Sequence, residues 1–317
     1  MNKIVVTGGA GFIGSHLAEE LAIKGHQVSI LDDLSTGKIQ NIKPLLRKGV
    51  TEFIEGSITD LSLLQRIFND VDYVFHQAAI PSVPRSVKNP LPTHEANITG
   101  TLNVLLAARD NGVKKVIYAS SSSVYGQNPT LPRTEDMPPN PQSPYAVTKT
   151  AAEYYCQVFH RIYSLPTVCL RYFNVYGPRQ DPLSQYAAVI PRFTTRISQG
   201  QPPIIFGDGE QTRDFTFIKD TVEANILAAE SDATGIFNVG RGERVTINQL
   251  AELTARLMGS NIEPIHEKPR PGDVRHSLAD VSLLRAFGYK AKYDLEEGLR
   301  ETIETFQHEM QPAVQSR

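Results

Sequence analysis

The chain has 317 residues, of which 40% are hydrophobic and 21% are charged, and its formal net charge is −2. This balance offers no basic surface for a nucleic acid or an anionic membrane, and no apolar stretch reaches the ~18 residues that a bilayer crossing needs. Residues 1–7 predict a strand rather than a signal peptide, and Cys156 and Cys169 lack metal-ligand spacing, so we expect a cytoplasmic protein with buried free thiols and no metal site.

Strand-like and helix-like segments alternate through the first half of the chain. The apolar runs typical of strands are Ile4–Val6, Val28–Leu31, Thr51–Ile54, Tyr73–Phe75, Lys115–Ala119 and Thr167–Arg171. Helical patterns lie between them, near residues 12–24, 61–69, 93–111 and 144–163. Near-continuous Val and Ile runs in this alternation predict an α/β fold, a Rossmann-type doubly wound parallel sheet with helices on both faces.

The composition and the helical patterning of the sequence change after about residue 172. Prolines and glycines crowd residues 176–214, and helical patterns become scattered. We therefore expect a dinucleotide-binding domain over residues 1–172, to which about 219–240 returns, and a smaller mixed α/β substrate lobe over 173–310. Residues 311–317 are expected to form a frayed tail.

The first predicted strand leads into a glycine-rich loop, TGGAGFIG, at Thr7–Gly14. Gly8 permits a tight turn, Gly11 lets the backbone approach a phosphate, and Gly14 allows close packing of helix and strand. The helix that begins near Phe12 offers free N–H groups and a partial positive charge to a pyrophosphate. An ordinary glycine turn is the alternative, and the flanking strand and helix disfavour it.

The second predicted strand ends in two carboxylates, Asp32 and Asp33. A carboxylate at this position hydrogen-bonds the ribose 2′-hydroxyl and repels a 2′-phosphate, and no Arg stands beside it. The pattern predicts NAD rather than NADP. Asp32 is the preferred ligand, because Asp33 is also placed to cap the next turn.

A serine run and a Tyr-x-x-x-Lys step carry the expected chemistry. Ser120–Ser123 ends the fifth strand, and Tyr145 and Lys149 lie one turn apart on a helix that begins after Ser143. The pKa of a free tyrosine is near 10, and both the Lys149 ammonium and a nicotinamide positive charge favour phenolate. A lone Tyr–Lys pair is more often a solvated helix surface, but together with the glycine loop it predicts a nicotinamide enzyme that transfers a proton through tyrosine.

These motifs resemble the extended short-chain dehydrogenase/reductase family, in its sugar-nucleotide branch, over essentially the whole chain. The resemblance implies tightly held NAD, with Tyr145 as the acid/base, Lys149 in support and Ser121 as the hydrogen-bonding partner of Tyr145. With the residues above, the expected cofactor contacts are Gly8, Gly11, Phe12, Ile13, Asp32, Asp33, Ser35, Thr36, Gly37, Ser57, Ile58, Gln77, Ala78, Ala79, Asn97, Ser120, Tyr145, Lys149 and Phe173.

Within that branch, several motifs narrow the reaction. Residues 121–123 are serines where nucleotide-sugar 4,6-dehydratases carry Thr-Asp-Glu, which disfavours dehydration. The motifs SVPRS (82–86), YFNV (172–175), RQDP (179–182), YAAVIP (186–191) and GDVRHS (272–277) resemble UDP-N-acetylglucosamine 4-epimerases. The resemblance implies inversion at C4 of a UDP-hexose through a transient 4-keto sugar, with no net redox change.

The same resemblance implies a substrate site in the second half of the chain. Arg213 and Arg270 are expected to clamp the diphosphate, and Asp273 to accept from the uridine ribose. Ser277 and Ala188 are small where galactose-specific epimerases crowd the sugar 2-substituent, which leaves room for an N-acetyl group. The expected substrate contacts are Val83, Arg85, Ser121, Ser122, Tyr145, Asn174, Ala188, Val189, Ile204, Phe206, Arg213, Arg270, Asp273 and Ser277.

Several alternatives stay open. The substrate is an N-acetylhexosamine, a plain hexose or a uronic acid, and Arg85 and Arg192 are available to an epimerase, decarboxylase or dehydrogenase that reads a uronic carboxylate. A non-catalytic NAD-binding sensor would have a broken Tyr/Lys/Ser set, which this chain does not have. We expect a homodimer through a four-helix bundle, although burial within one chain would pattern the same positions: Leu102, Leu105, Leu106, Tyr154, Val158 and Ile162.

Overall fold

A seven-stranded parallel sheet organises the chain, in a computed structural model that describes residues 1–49, 51–181, 188–269 and 274–310. The strands are β1 (Lys3–Thr7), β2 (Gln27–Asp32), β3 (Thr51–Glu55), β4 (Tyr73–His76), β5 (Lys115–Ser121), β6 (Thr167–Tyr172), β7 (Val175–Tyr176), β8 (Ile204–Phe206), β9 (Thr212–Arg213), β10 (Thr216–Phe217), β11 (Gly235–Val239), β12 (Val245–Thr246) and β13 (Ile265–Glu267). The helices are α1 (Phe12–Ile23), α2 (Ile39–Arg47), α3 (Leu61–Ile67), α4 (Val83–Lys88), α5 (Pro90–His94), α6 (Gly100–Asp110), α7 (Pro144–Tyr163), α8 (Val189–Ser198), α9 (Ile218–Glu230), α10 (Ile247–Leu257), α11 (Ser282–Ala286) and α12 (Leu295–Met310).

The order of the strands across the sheet is β3-β2-β1-β4-β5-β6-β11, and each neighbouring pair is parallel. The order reverses between β1 and β4, and this reversal opens a crevice at the carboxyl ends of the strands. The six strands expected in the first half are present as β1 to β6. The predicted Rossmann-type fold is therefore confirmed.

Alternate residues of the central strands pack into two hydrophobic layers, one on each face of the sheet. Ile4 and Val6 of β1 share a core with Leu17 of α1, while Val5 between them shares another with Val104 of α6 and Ala152 of α7. This alternation follows from the pleat of a strand, and burial on both faces explains why the strands are continuous apolar runs. Cys156 and Cys169 lie in the second layer as buried free thiols, as expected.

The helical pattern predicted near 93–111 is divided in the structure. A π-helical turn, Glu95–Thr99, joins α5 to α6. At Gly100 a Cβ atom would lie 2.5 Å from Cδ1 of Ile58, so this part of the helix approaches its neighbour closely. Sequence reasoning also missed α2, whose interior Pro44 resembles a helix breaker.

The second half of the chain contributes both to the sheet and to smaller elements above it. β11 lies within the region expected to return to the sheet and pairs with β6. β8 pairs with β13, β9 with β12 and β7 with β10, in three two-stranded sheets. The boundaries of the two domains stay a prediction, and the expected tail at 311–317 lies outside the described residues. Within the described part of the chain, no helix is long and apolar enough to span a bilayer.

Candidate active site

A cavity of about 890 Å³ opens at the carboxyl ends of the central strands. Most residues that the sequence assigned to the cofactor line it together: Gly8, Gly11, Phe12, Ile13, Asp32, Asp33, Ser35, Thr36, Gly37, Ser57, Ile58, Gln77, Ala78, Ala79, Ser120, Tyr145 and Lys149. Among the described residues, no group of three or more His, Cys, Asp and Glu side chains could hold a metal ion.

Two glycines of the loop after β1 are required by close contacts. Gly8 has a φ of +68°, and a Cβ there would lie 2.5 Å from the backbone nitrogen of Ala78. A Cβ on Gly14 would lie 2.2 Å from the carbonyl oxygen of Gly8. α1 begins after Gly11, which has no side chain to cap the helix, so backbone N–H groups of its first turn are available to a ligand in the cavity.

The two carboxylates at the end of β2 have different local roles. Asp32 accepts hydrogen bonds from the backbone nitrogens of Ala10 and Leu34, at 3.0 and 2.8 Å, and burial raises its pKa against these bonds. Asp33 accepts from the backbone nitrogen of Ser35 at 2.9 Å and so caps the turn, which was the alternative left open. Both line the cavity, and Asp32 is the more deeply placed of the two.

Helix α7 brings the Tyr–Lys step to the cavity. Ser143 caps the helix by accepting from the backbone nitrogen of Ala146 at 3.1 Å. The Lys149 ammonium lies 5.9 Å from the centre of the Tyr145 ring and donates to the carbonyl oxygen of Ala119 at 2.7 Å. Both residues line the cavity, one turn apart as the sequence predicts.

The electrostatic environment of this pair is dominated by burial. Burial raises the pKa of Tyr145 to about 12, and a hydrogen bond with Ser121 opposes the rise. Burial also lowers the pKa of Lys149 to about 8, and the negative charge of Glu153 opposes that fall. In the protein alone the Tyr145 pKa therefore moves opposite to the expected direction, because loss of solvent outweighs the hydrogen bond with Ser121.

A buried ion pair beneath the site was missed by sequence reasoning. The Glu153 carboxylate accepts from Nε and Nη2 of Arg171, at 2.9 and 2.7 Å, and from Oγ of Ser120 at 2.5 Å. Both charged side chains are at least 98% buried. The available signal was spacing, since Tyr145, Lys149 and Glu153 follow one another at intervals of four along α7.

A second cavity, of about 270 Å³, adjoins the first. Gln180 and Ala188 line both cavities. Six of the expected substrate residues line the second one: Asn174, Ala188, Val189, Ile204, Phe206 and Arg213. The Arg192 guanidinium lies 5.2 Å from the centre of the Phe206 ring in the same cavity.

Some expected site residues lie away from the cavity walls. Phe173 is fully buried against Tyr125, and Asn97 is buried with its side-chain amide bonded to the backbone of Ile80. Neither lines the large cavity, so any contact of theirs with a cofactor stays a prediction.

The expected substrate residues are similarly divided. Arg85 lines the large cavity, whereas Val83 is 40% exposed on α4 and lines neither. Ser122 begins the 3₁₀ turn after β5 and also lines neither cavity. Ser277 hydrogen-bonds through its backbone nitrogen to Thr212, beside Arg213, without lining a cavity. Arg270 and Asp273 lie outside the described residues.

The cavity also has walls that sequence reasoning did not find. Lys38 and Asn41 lie at the start of α2, Ile80 follows β4, and Arg179, Gln180 and Asp181 belong to the RQDP motif, which was not assigned to the cofactor.

Comparison with known proteins places this site in a family. The profile of the NAD dependent epimerase/dehydratase family matches residues 4–240. The solved structure of a UDP-N-acetylglucosamine 4-epimerase from Methanobrevibacter ruminantium M1, in complex with UDP-N-acetylmuramic acid, is 46% identical with a TM-score of 0.94, covering 98% of this chain and 99% of that chain. A putative UDP-glucose 4-epimerase of Methanocaldococcus jannaschii is 40% identical over 95% of this chain and 97% of its own length. A UDP-N-acetyl-alpha-D-glucosaminuronate decarboxylase of Bacillus cytotoxicus is 38% identical over 96% of this chain and 97% of its own.

Proposed function

This chain belongs to the NAD dependent epimerase/dehydratase family and is a UDP-sugar 4-epimerase, and we propose that it interconverts UDP-N-acetylglucosamine and UDP-N-acetylgalactosamine. The observation that carries the proposal is the position of Tyr145, which lies near Ser121 and in the wall of a large cavity that meets a smaller one at Ala188. A proton-transfer group thus stands where a cofactor and a sugar nucleotide would meet.

The large cavity fits NAD on its own geometry. It has the volume for a dinucleotide, an uncapped helix N-terminus for the pyrophosphate and a carboxylate, Asp32, at the end of β2 for the ribose. We expect Gly8, Gly11 and Phe12 to hold the pyrophosphate and Asp32 the adenosine ribose. When bound, NAD supplies the acceptor and later the donor of the C4 hydride, so the reaction has no net redox change.

The chain's own residues manage the proton and the orientation of the sugar. Tyr145 takes the proton of the C4 hydroxyl as the 4-keto sugar forms and returns it after the sugar has turned over. Ser121 hydrogen-bonds the same oxygen. Burial alone raises the pKa of Tyr145 and keeps the phenol protonated. The positive charges of Lys149 and of the nicotinamide favour the phenolate instead.

The second cavity suits the UDP portion. Ile204 and Phe206 offer apolar faces to uracil, and Arg213 offers a guanidinium to the diphosphate. Anchoring UDP while the hexose is held loosely lets the ketone present either face. Ala188, small and common to both cavities, leaves space at the hexose for an N-acetyl group. The N-acetylglucosamine epimerase among the similar structures supports this choice.

A UDP-uronic acid is the second candidate substrate. Arg85 lines the large cavity, where its guanidinium is available to pair with the carboxylate of a uronic acid. The decarboxylase of Bacillus cytotoxicus, which is 38% identical over 96% of this chain, also supports this candidate. This alternative predicts release of CO₂, net formation of NADH, or epimerisation of UDP-glucuronic acid.

A panel of UDP-sugars distinguishes the N-acetylated substrate from the uronic acid. Purified enzyme is given UDP-N-acetylglucosamine, UDP-glucose and UDP-glucuronic acid in parallel, and kcat/KM is obtained from NMR time courses. We expect the N-acetylated sugar to have the highest value. A preference for the uronic acid, or CO₂ release from it, would overturn the proposed substrate.

We also propose that two copies of the chain pair through α6 and α7. Tyr154 and Ile162 of α7 are 53% and 67% exposed, and Val158, Leu102 and Leu106 are partly exposed, whereas Leu105 points into the core and leaves the expected set. A second copy would cover this apolar face. Light scattering of the purified protein tests the proposal, and a monomer at micromolar concentration would contradict it.

A further inference from the structure

A short segment of the substrate half is fastened to the cofactor half at three points. We call Pro178–Asp181, which follows β7, the strap. The His16 ring of α1 donates from Nε2 to the carbonyl oxygen of Pro178 at 2.9 Å, Arg179 pairs with Glu19 of α1, and Lys38 pairs with Asp181 at 3.0 Å. Three residues of the strap, Arg179, Gln180 and Asp181, line the cavity, and the strap contacts the helix whose N-terminus faces that cavity.

The hydrogen bond between His16 and Pro178 is made by a neutral imidazole. Burial, and next the charge of Arg179, lower the pKa of His16 to about 4, so the ring is neutral at pH 7. A carbonyl oxygen can only accept, hence the hydrogen lies on Nε2. The positive charge at this point of the cavity therefore belongs to Arg179.

Arg179 has two features that its ion pair with Glu19 does not explain. Its φ is +64°, a left-handed conformation that is costly for a side chain other than Gly and that persists where the surroundings demand it. Its Nη1 atom is buried without a hydrogen-bond partner, although a buried donor left unpaired is destabilising. The residue lines the large cavity, so a ligand there is placed to accept from Nη1.

We propose that Arg179 binds the pyrophosphate of NAD through Nη1 and that the strap thereby holds the cofactor in place, an inference that rests on the proposed NAD-dependent function. A pyrophosphate carries two negative charges, and the helix N-terminus supplies only about half a positive charge. Of the other cations in the described cavity wall, Lys38 pairs with Asp181, Lys149 lies beside Tyr145, and Arg85 belongs to α4. Arg179 is the one fixed to α1 itself, and a guanidinium matches phosphate oxygens in geometry and charge.

The strap also reaches the substrate cavity. Gln180 lines both cavities, donates from Nε2 to the carbonyl oxygen of Val175 at 3.2 Å, and leaves its buried Oε1 without a partner. One segment therefore borders both ligands. Such an arrangement suits a cofactor that is regenerated in place, because NAD must stay bound from one turnover to the next.

The affinity for NAD tests the proposal without reference to activity. NAD is stripped from Arg179→Gln and from wild type, and the dissociation constant of added NAD is measured by calorimetry, with thermal unfolding as the check on folding. We expect a ~10- to 100-fold weaker constant for Arg179→Gln, the range for losing a charge-assisted hydrogen bond to a phosphate. The matched control is Arg256→Gln, the same change at an exposed pair with Glu296, which should leave the constant unchanged.

Glu19→Gln separates phosphate binding from mere anchoring of the strap. It breaks the same ion pair but keeps the guanidinium, so NAD should bind at least as tightly as to wild type. Arg179→Lys keeps the positive charge but loses the planar guanidinium, so its dissociation constant for NAD should lie between those of wild type and Arg179→Gln. This variant replaces Arg179→Gln if the latter does not fold. Unchanged affinity in Arg179→Gln and Arg179→Lys, or equal losses in Glu19→Gln and Arg179→Gln, would overturn the inference. A wild-type protein that binds no NAD would overturn the proposed function with it.

Discussion

The ammonium of Lys149 lies 5.9 Å from the centre of the Tyr145 ring and donates to the carbonyl oxygen of Ala119. A charge at this distance can act on Tyr145 only through its electric field, across one turn of α7. Because Lys149 is buried and Tyr145 is partly buried, that field is less screened than it would be in water. We therefore expect the protonation state of Lys149 to influence how readily Tyr145 loses its proton.

The first prediction concerns pH. Burial lowers the pKa of Lys149 to about 8, so the ammonium is present below pH 8 and is lost above it. We expect kcat to fall on the alkaline side with a midpoint at or below about pH 8, since the nicotinamide charge lowers this pKa further. Initial rates from pH 6 to pH 10 measure it. Lys149→Arg, which does not titrate in this range, should lose the alkaline fall, and an identical fall in that variant would contradict the assignment.

The second prediction concerns the proton-transfer group. Tyr145→Phe removes the phenol and leaves the ring, so we expect kcat to drop by about 10²–10⁴ while the affinity for UDP stays near that of wild type. Tyr163→Phe is the matched control, because it makes the same change at the exposed end of α7. Comparable activity in both variants would exclude Tyr145 as the acid/base.

The third prediction concerns the ion pair beneath the site. Glu153→Gln leaves the Arg171 guanidinium buried without a charge partner, and we expect the free energy of unfolding to fall by about 3–5 kcal/mol. Urea unfolding measures it. Glu296→Gln, at an exposed pair, should cost about 0–1 kcal/mol. Combining Glu153→Gln with Arg171→Met should recover part of the loss, and a double variant no more stable than the single one would contradict this explanation.

The fourth prediction concerns sugar selectivity. Ser277→Tyr adds bulk where galactose-specific epimerases carry tyrosine, so we expect kcat/KM for UDP-N-acetylglucosamine to fall by about 10-fold or more, with UDP-glucose much less affected. Ser277→Ala keeps the residue small and should retain both activities. Equal losses for both sugars in Ser277→Tyr would mean that Ser277 does not bound the N-acetyl space.

The sequence predicted strands β1 to β6 and many residues that line the large cavity because both depend on local patterns. Continuous Val and Ile runs identified β1 to β6, and glycines with close backbone neighbours, such as Gly8 and Gly14, identified the loop after β1. The Tyr145–Lys149 step is likewise local to one helix. The strands and the Tyr–Lys step depend on neighbours in sequence, and the glycine motif is recognisable locally although Gly8 packs against Ala78 after β4.

What the sequence did not predict depends on contacts between distant segments. Arg179 reaches the cavity only because α1 and the strap pack together, and no spacing links it to Glu19. The rise of the Tyr145 pKa depends on burial, which a helical pattern does not quantify. The burial of Leu105 is the alternative that the sequence left open, because one apolar face of α6 packs in the core and an adjacent one lies toward solvent.

The most direct test of the account follows deuterium at C4. UDP-N-acetylglucosamine labelled with deuterium at C4 is incubated with the enzyme, and NMR monitors the anomeric region together with the C4 position. Transient oxidation at C4 predicts signals of UDP-N-acetylgalactosamine that retain the label, no accumulation of free NADH, and loss of the reaction in Tyr145→Phe. Absence of UDP-N-acetylgalactosamine, or exchange of the C4 label with water, would contradict it.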